Sequence, residues 1–202
     1  MNKKIIKYIY YQKPTIDIHG KWLTIGNPKT AQKSMMGKIL DYRQIMHRRG
    51  YRNWERVWDQ IIVPNIDNVF IFTFVRNPWD KVVSAFHFLK KKGVIPKEIM
   101  FRNYVKDILA ISGTDIDVHF REQSSSFLYN KHEIPGIFIG RFEQLYKDWK
   151  YVANKINETT ELPHINASKH IHYTKYYDNE CIEIVRNLYK KEIDYLGYKY
   201  GP

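Results

Sequence analysis

A chain of 202 residues, 44% hydrophobic and 27% charged, is long enough to bury the core of one globular domain, and its apolar runs fall short of the roughly 20 residues a transmembrane helix needs. The formal net charge of +12 points to an anionic partner: nucleic acid, an anionic membrane surface, a polyanionic glycan or a multiply phosphorylated nucleotide. That charge runs the length of the chain, which argues against a disordered basic arm, and the single cysteine, Cys181, excludes an intrachain disulfide and a cysteine-based zinc site. A lone cysteine fits a reducing compartment without establishing one, and a cytoplasmic protein is expected.

Residues 1–12 combine lysines with a short apolar stretch broken by Lys7, and read as a strand or ordered arm rather than a signal peptide. Trp22-Leu23-Thr24-Ile25 reads as a buried strand, ended by the turn Gly26-Asn27-Pro28. Met35, Met36, Ile39, Leu40 and Met46 then follow helical spacing, which predicts a helix over 32–47. The run Val69 to Val75 is almost continuously apolar, as in a strand covered on both faces. After it, Asn77 is suited to cap a helix, Pro78 to occupy its first position and Asp80 its first turn, with Trp79, Val82, Val83, Phe86 and Leu89 forming one apolar stripe. Further on, 104–111 and 142–156 read as helices, 136–140 as a short buried strand and 178–196 as a long last helix. Strands alternating with helices predict an α/β fold, a three-layer sandwich around a mainly parallel sheet, formed by residues 1–202 as a single domain. Right-handed crossovers place the loops after Ile25 and Val75 on one edge of that sheet.

Gly26-Asn27-Pro28-Lys29-Thr30-Ala31-Gln32-Lys33-Ser34 lies between a predicted strand and a predicted helix. Backbone N–H groups at a helix start, two lysines and two hydroxyls suit a phosphate or sulfate. An ordinary strand-to-helix turn with surface lysines accounts for the same residues. The segment is not a Walker A loop: Lys33-Ser34 matches the end of that motif, but Gln32 and Asn27 stand where it requires glycine. It resembles instead the 5′-phosphosulfate loop of sulfotransferases that use PAPS (3′-phosphoadenosine 5′-phosphosulfate), in the carbohydrate-type, family 2-like branch. Pro28, Lys29, Thr30, Ala31 and Ser34 match; Gln32 and Lys33 depart.

The second segment, Phe74 to Phe86, resembles that family's 3′-phosphate motif through Arg76-Asn77-Pro78, Asp80, Ser84 and Phe86, with Lys81 where arginine is usual. Arginine presents a planar fork to phosphate oxygens, and Ser84 lies eight residues on, about two helical turns away. Capping by Arg76 and packing by Ser84 would explain either residue alone, but not the whole ordered string. Phe138 to Leu145 and Tyr189 to Tyr198 resemble later family segments more weakly.

The resemblance implies an α/β sulfotransferase with a P-loop-like phosphate-binding turn, related in architecture to nucleotide kinases. It implies transfer of a sulfuryl group from PAPS to an acceptor hydroxyl, that of a carbohydrate, with PAP released and no metal required. It assigns Lys29 to the charge on the leaving phosphate, the segment Thr30, Ala31, Gln32, Lys33 and Ser34 to the 5′-phosphate and sulfuryl oxygens, and Arg76 with Ser84 to the 3′-phosphate. Ser168 and Lys169 fall where relatives close over the nucleotide. A general base is also needed, and histidine is the default near neutral pH. Of eight histidines, His119 lies in Asp117-Val118-His119-Phe120-Arg121-Glu122-Gln123, which resembles an H-[FW]-x-x-Q segment of carbohydrate-type members. A structural histidine is the competing explanation, and His47 and Glu55 are the substitutes. Two other functions fit parts of the sequence. A kinase using Mg-ATP lacks its Walker glycines. A degenerate nucleotide- or nucleic-acid-binding protein would explain charge and aromatics, but no nucleic-acid-binding module is recognisable.

Overall fold

A computed structural model describes residues 1–11, 15–17, 21–31, 45–47, 59–60, 63–158, 161–162 and 171–201. The chain divides into two compact units, one of residues 1–27, 31–75 and 125–165, the other of 28–30, 76–124 and 166–202. Among the described residues no helix is long and apolar enough to cross a membrane.

The first unit is built on a five-stranded sheet of order β3-β1-β2-β4-β7, from β1 (Thr15–Asp17), β2 (Trp22–Thr24), β3 (Ile45–His47), β4 (Phe70–Val75) and β7 (Ile137–Arg141). β2, β4 and β7 are parallel neighbours, while β1 pairs antiparallel with both β2 and β3. Four of the five strands therefore point one way, and the fold is mixed α/β with a mostly parallel sheet. The register Trp22↔Phe70 and Leu23↔Ile71 brings the C-terminal ends of β2 and β4 to the same edge, as expected. Between β4 and β7 lies a hairpin of β5 (Leu128–Tyr129) and β6 (His132–Glu133). Its two connecting residues, Asn130 and Lys131, both have positive φ, which is the requirement of a type I′ turn.

Alternation along β4 sends Phe72 and Phe74 to one face, where they meet Trp22 and the helix α3 (Leu145–Ile156). Trp149, Val152, Ala153 and Ile156 of α3, spaced three and four apart, complete that core. Gly140 on β7 lies directly under the Phe74 ring: a Cβ there would sit 2.5 Å from a ring carbon.

Three expectations are corrected. Residues 1–12 are not a strand or arm: α1 (Lys3–Tyr11) is a helix. Asn2 caps it by accepting a hydrogen bond from the Ile5 N–H at 3.0 Å, and Ile9, one turn beyond Ile5, is buried. The helix predicted over 32–47 does not reach its end, because Ile45–His47 is β3, paired through Met46↔Ile16; 32–44 lie outside the described residues. The last helix is broken at Tyr189 into α4 (Asn179–Leu188) and α5 (Lys190–Leu196). Tyr189 there has φ −112° and ψ 19°, outside the helical range, and its buried hydroxyl donates to the Phe120 carbonyl.

The second unit is organised by α2 (Pro78–Lys91), which starts as expected: Asn77 Oδ1 accepts from the Trp79 N–H at 3.1 Å, and Pro78 holds the first position. Trp79, Val82, Val83, Phe86 and Leu89 are all buried. The Trp79 indole donates to the Ile182 carbonyl at 3.1 Å, and the Tyr177 hydroxyl donates to the Trp79 carbonyl at 2.8 Å. Tyr200 packs on Trp79, Tyr173 and Tyr177. Tyr189 and Tyr198 are thus core, Tyr200 is half-buried, and Tyr195 is exposed. The helix expected at 104–111 starts earlier: Phe101–Asn103, Tyr104–Leu109 and Ala110–Ser112 run on as one helical stretch, its middle wound as a π-helix.

Gly140→Ala is expected to destabilise the chain by about 1–3 kcal/mol through overpacking against Phe74. Thermal unfolding monitored by circular dichroism checks this, and an unchanged midpoint would mean the ring moves aside freely.

Candidate functional site

Asn27 ends the run after β2 with its side chain buried. Its Nδ2 lies 2.9 Å from the Phe74 carbonyl oxygen and 2.7 Å from Ser126 Oγ. The turn that follows is wound through left-handed backbone, with φ 68° at Lys29 and 59° at Ala31. Non-glycine residues adopt this conformation rarely and at a cost, so a turn that holds two of them is specified by its surroundings. Thr30 between them is buried.

In the second unit, Arg76 is only 6% exposed. Its Nε donates to Asp80 Oδ2 at 2.8 Å, and its Nη1 donates to the Lys29 carbonyl at 3.0 Å. The two segments singled out in the sequence therefore meet through one guanidinium. Asp80, Ser84 and Phe88 follow at four-residue intervals along α2, so they form a row on successive turns. Ser84 is 1% exposed in the middle of that row.

Phe88, at the far end, gathers the remaining basic groups. Lys29 Nζ stands 4.4 Å from its ring centroid, within cation–π range, and Lys92 Nζ stands 5.9 Å away. The His119 ring packs on the same Phe88 at 4.7 Å. Lys29 and His119, chosen separately from the sequence, thus share one aromatic neighbour.

His119 is held by Asp117. Nδ1 lies 2.6 Å from Asp117 Oδ1, which also accepts from the His119 backbone N–H at 2.8 Å. With Nδ1–H donating to the carboxylate, Nε2 carries the lone pair. Burial alone would raise the Asp117 pKa, but the two hydrogen bonds from His119, with the charges of His119 and Arg121, leave it below the usual carboxylate value. The carboxylate is therefore ionised at neutral pH and keeps the imidazole oriented.

Behind Arg76 lies a buried polar network. The Gln123 side-chain amide accepts from the Arg76 N–H at 2.8 Å and donates to the Arg76 carbonyl at 2.9 Å. Glu192 takes the Gln123 backbone N–H and, at 3.1 Å, its side-chain NH2. Lys81 is wholly buried beside this carboxylate and donates to the Arg121 carbonyl. Burial pulls the Lys81 ammonium from 10.5 down to about 8, against the attraction of Glu192 and Glu122. Burial also raises the Glu192 pKa, opposed by Lys81 and by the hydrogen bonds from Gln123. Burial, aided by Asp178, pushes the Cys181 thiol up to about 12, which disfavours its thiolate.

Of the residues expected at the site, Lys29, Thr30, Arg76, Ser84 and His119 lie in the second unit, and Ala31 lies in the first. Gln32, Lys33, Ser34, Ser168 and Lys169 fall outside the described residues, as does Glu55; His47 is in β3. Asp117, Phe88 and Gln123 were given no role from the sequence. The D-x-H spacing of Asp117 and His119 was a usable local signal; the other two contacts join distant segments. Among the described residues no group of three or more His, Cys, Asp or Glu side chains is placed to hold a metal ion.

A mixed α/β fold that brings a lysine, a buried arginine and a carboxylate-oriented histidine together around one helix has the equipment of a group-transfer enzyme acting on an anionic donor. The sulfotransferase family model matches residues 10–199, and the chain belongs to that family: it is a transferase of sulfuryl groups. Searches of curated proteins and of solved structures returned no match.

The Lys81 shift sets a pH test. Between about 8 and 10.5 the folded chain holds Lys81 neutral while the unfolded chain still protonates it. The unfolded state then binds more protons, so Lys81's contribution to stability rises with pH across that window. Wild type is expected to gain stability relative to Lys81→Met between the two ends of the window, measured by urea unfolding. A constant difference would show Lys81 charged throughout.

Proposed function

We propose that the chain, working as one sulfotransferase domain in the cytoplasm, transfers a sulfuryl group from PAPS to a carbohydrate hydroxyl, releasing PAP and a sulfate ester. The observation that carries this reading is the bond from Arg76 Nη1 to the Lys29 carbonyl, beside a His119 oriented by Asp117. PAPS is negative at its 3′-phosphate and at its 5′-phosphosulfate. Arg76 and Lys29 offer one cation to each end and are tied to one another, so the residues present fit that donor.

Arg76 takes the 3′-phosphate through its guanidinium, with Ser84 next in the row and Asp80 bracing Nε. Left-handed backbone at Lys29 and Ala31 is the kind of conformation from which anion-binding concavities are built, which supports this role for the turn. In this reading it is the P-loop-like element of a three-layer sandwich. Thr30, Ala31, Gln32, Lys33 and Ser34 supply N–H, hydroxyl and ammonium groups to the 5′-phosphate and sulfuryl oxygens, and Ser168 and Lys169 cover the nucleotide.

His119 Nε2 takes the proton from the acceptor hydroxyl as its oxygen attacks sulfur. The Lys29 ammonium neutralises the 5′-phosphate oxygen as its bond to sulfur breaks. Asp117 stabilises the imidazolium so formed. No step calls on a metal; positioning and charge stabilisation carry the barrier reduction. The net charge of +12 and Lys92 beside Phe88 favour a glycan that already carries anionic groups.

Calorimetric titration with PAP in EDTA, beside ATP with magnesium, tests the donor. Tight PAP binding without metal is expected; preference for Mg-ATP would move the chain to the kinases, and binding of neither would mark a degenerate site. Arg76→Ala is expected to weaken PAP binding at least about tenfold, the loss typical of a charged hydrogen-bond partner, with the far-UV spectrum intact. His119→Ala should cut turnover by about 10²-fold or more while sparing PAP affinity, whereas full activity would place the base elsewhere.

A further inference from the structure

We infer that Gln123, clamped by Glu192, is the positioning residue that aims Arg76 at the donor's 3′-phosphate; this rests on the reading that Arg76 binds that phosphate. The last ladder pair of β4 with β7 is Val75↔Arg141, and α2 begins at Pro78. Arg76 lies between the two, past the end of the sheet ladder. The Gln123 amide supplies what another strand would: an acceptor for the Arg76 N–H at 2.8 Å and a donor to its carbonyl at 2.9 Å.

A primary amide can do both in one plane, whereas an ionised carboxylate accepts only and a thioether does neither usefully. The amide's orientation is dictated rather than chosen. Its NH2 faces two acceptors, the Arg76 carbonyl and Glu192 Oε1, so the oxygen must face the Arg76 N–H. Gln123 and Glu192 are each 0% exposed, so water does not compete for these bonds. A carboxylate buried to that extent is costly unless paired, and here Lys81 supplies the charge and Gln123 the hydrogen bonds. A fully satisfied buried network of this kind holds its members in one geometry. With the backbone fixed, and Nε and Nη1 engaged by Asp80 and the Lys29 carbonyl, the guanidinium is held in one orientation.

The test separates 3′-phosphate recognition from the rest of nucleotide binding. Calorimetry gives Kd for PAP and for AMP, which lacks the 3′-phosphate, and their ratio measures what that phosphate contributes. A large ratio is expected in wild type and its near-complete loss in Arg76→Ala. In Gln123→Met, matched in size but without the two bonds, the ratio should fall about tenfold or more. Glu192→Gln keeps the volume but sets an NH2 against one of the two Gln123 donors, its NH2 or its backbone N–H, and should produce a smaller fall in the same direction. It also serves if Gln123→Met does not fold. A wild-type ratio near one would overturn the donor reading and this inference together. A large wild-type ratio, lost in Arg76→Ala but unchanged in folded Gln123→Met or Glu192→Gln, would overturn this inference alone.

Discussion

Parallel strands that stop at a common edge leave backbone groups there with no further ladder to join, and such groups must find partners elsewhere. This chain answers at three successive positions with a side chain. After β2, Asn27 donates to the Phe74 carbonyl; after β4, Gln123 takes both backbone groups of Arg76; at the end of β7, Asp148 accepts from the Arg141 N–H at 2.6 Å. The same requirement that lets the strands end cleanly also sets the conformation of the residues just beyond them. Those residues include Lys29 and Arg76, to which the proposed function assigns the donor.

How much of this could be read from the amino-acid order follows from the range of each interaction. The passage from β4 into α2 was legible because its determinants are local: a continuous apolar run, then a capping asparagine, a proline and an acidic residue within one turn. α1 was misread because Ile5, Ile6, Tyr8 and Ile9 are residues common in strands, and the Asn2 cap outweighed that preference. β3 was hidden by methionines at helical spacing, overridden at the chain's contact with β1. At the site, the His119–Asp117 pair lay two residues apart and was within reach of inspection, whereas Gln123 meets Arg76 across 47 residues and Glu192 across 69. The H-[FW]-x-x-Q resemblance marks Gln123 itself, but nothing local in the sequence announces its partners.

The interior behind the site is unusually polar. A neutral or charged lysine, a carboxylate and an amide share a wholly buried region with Tyr189, whose ring faces Lys81 Nζ at 5.2 Å. Replacing such groups with apolar ones of similar size is often neutral or stabilising, so their presence is weak evidence of a stability role. Their connection to Arg76 supplies a reason of another kind, since they hold one backbone segment in one place.

The bond between the Arg76 guanidinium and the Lys29 carbonyl makes the two sequence segments a single mechanical element. A group that pulls on the guanidinium also pulls on the turn that carries Lys29. Effects at the two positions are therefore not independent quantities: substitutions of Arg76 and Lys29 belong to one cycle whose energies do not add, and occupancy at one end biases the other by the same factor in both directions. Under the proposed function, the nucleotide product and the reactive end of its precursor would meet one shared hinge of hydrogen bonding rather than two separate pockets.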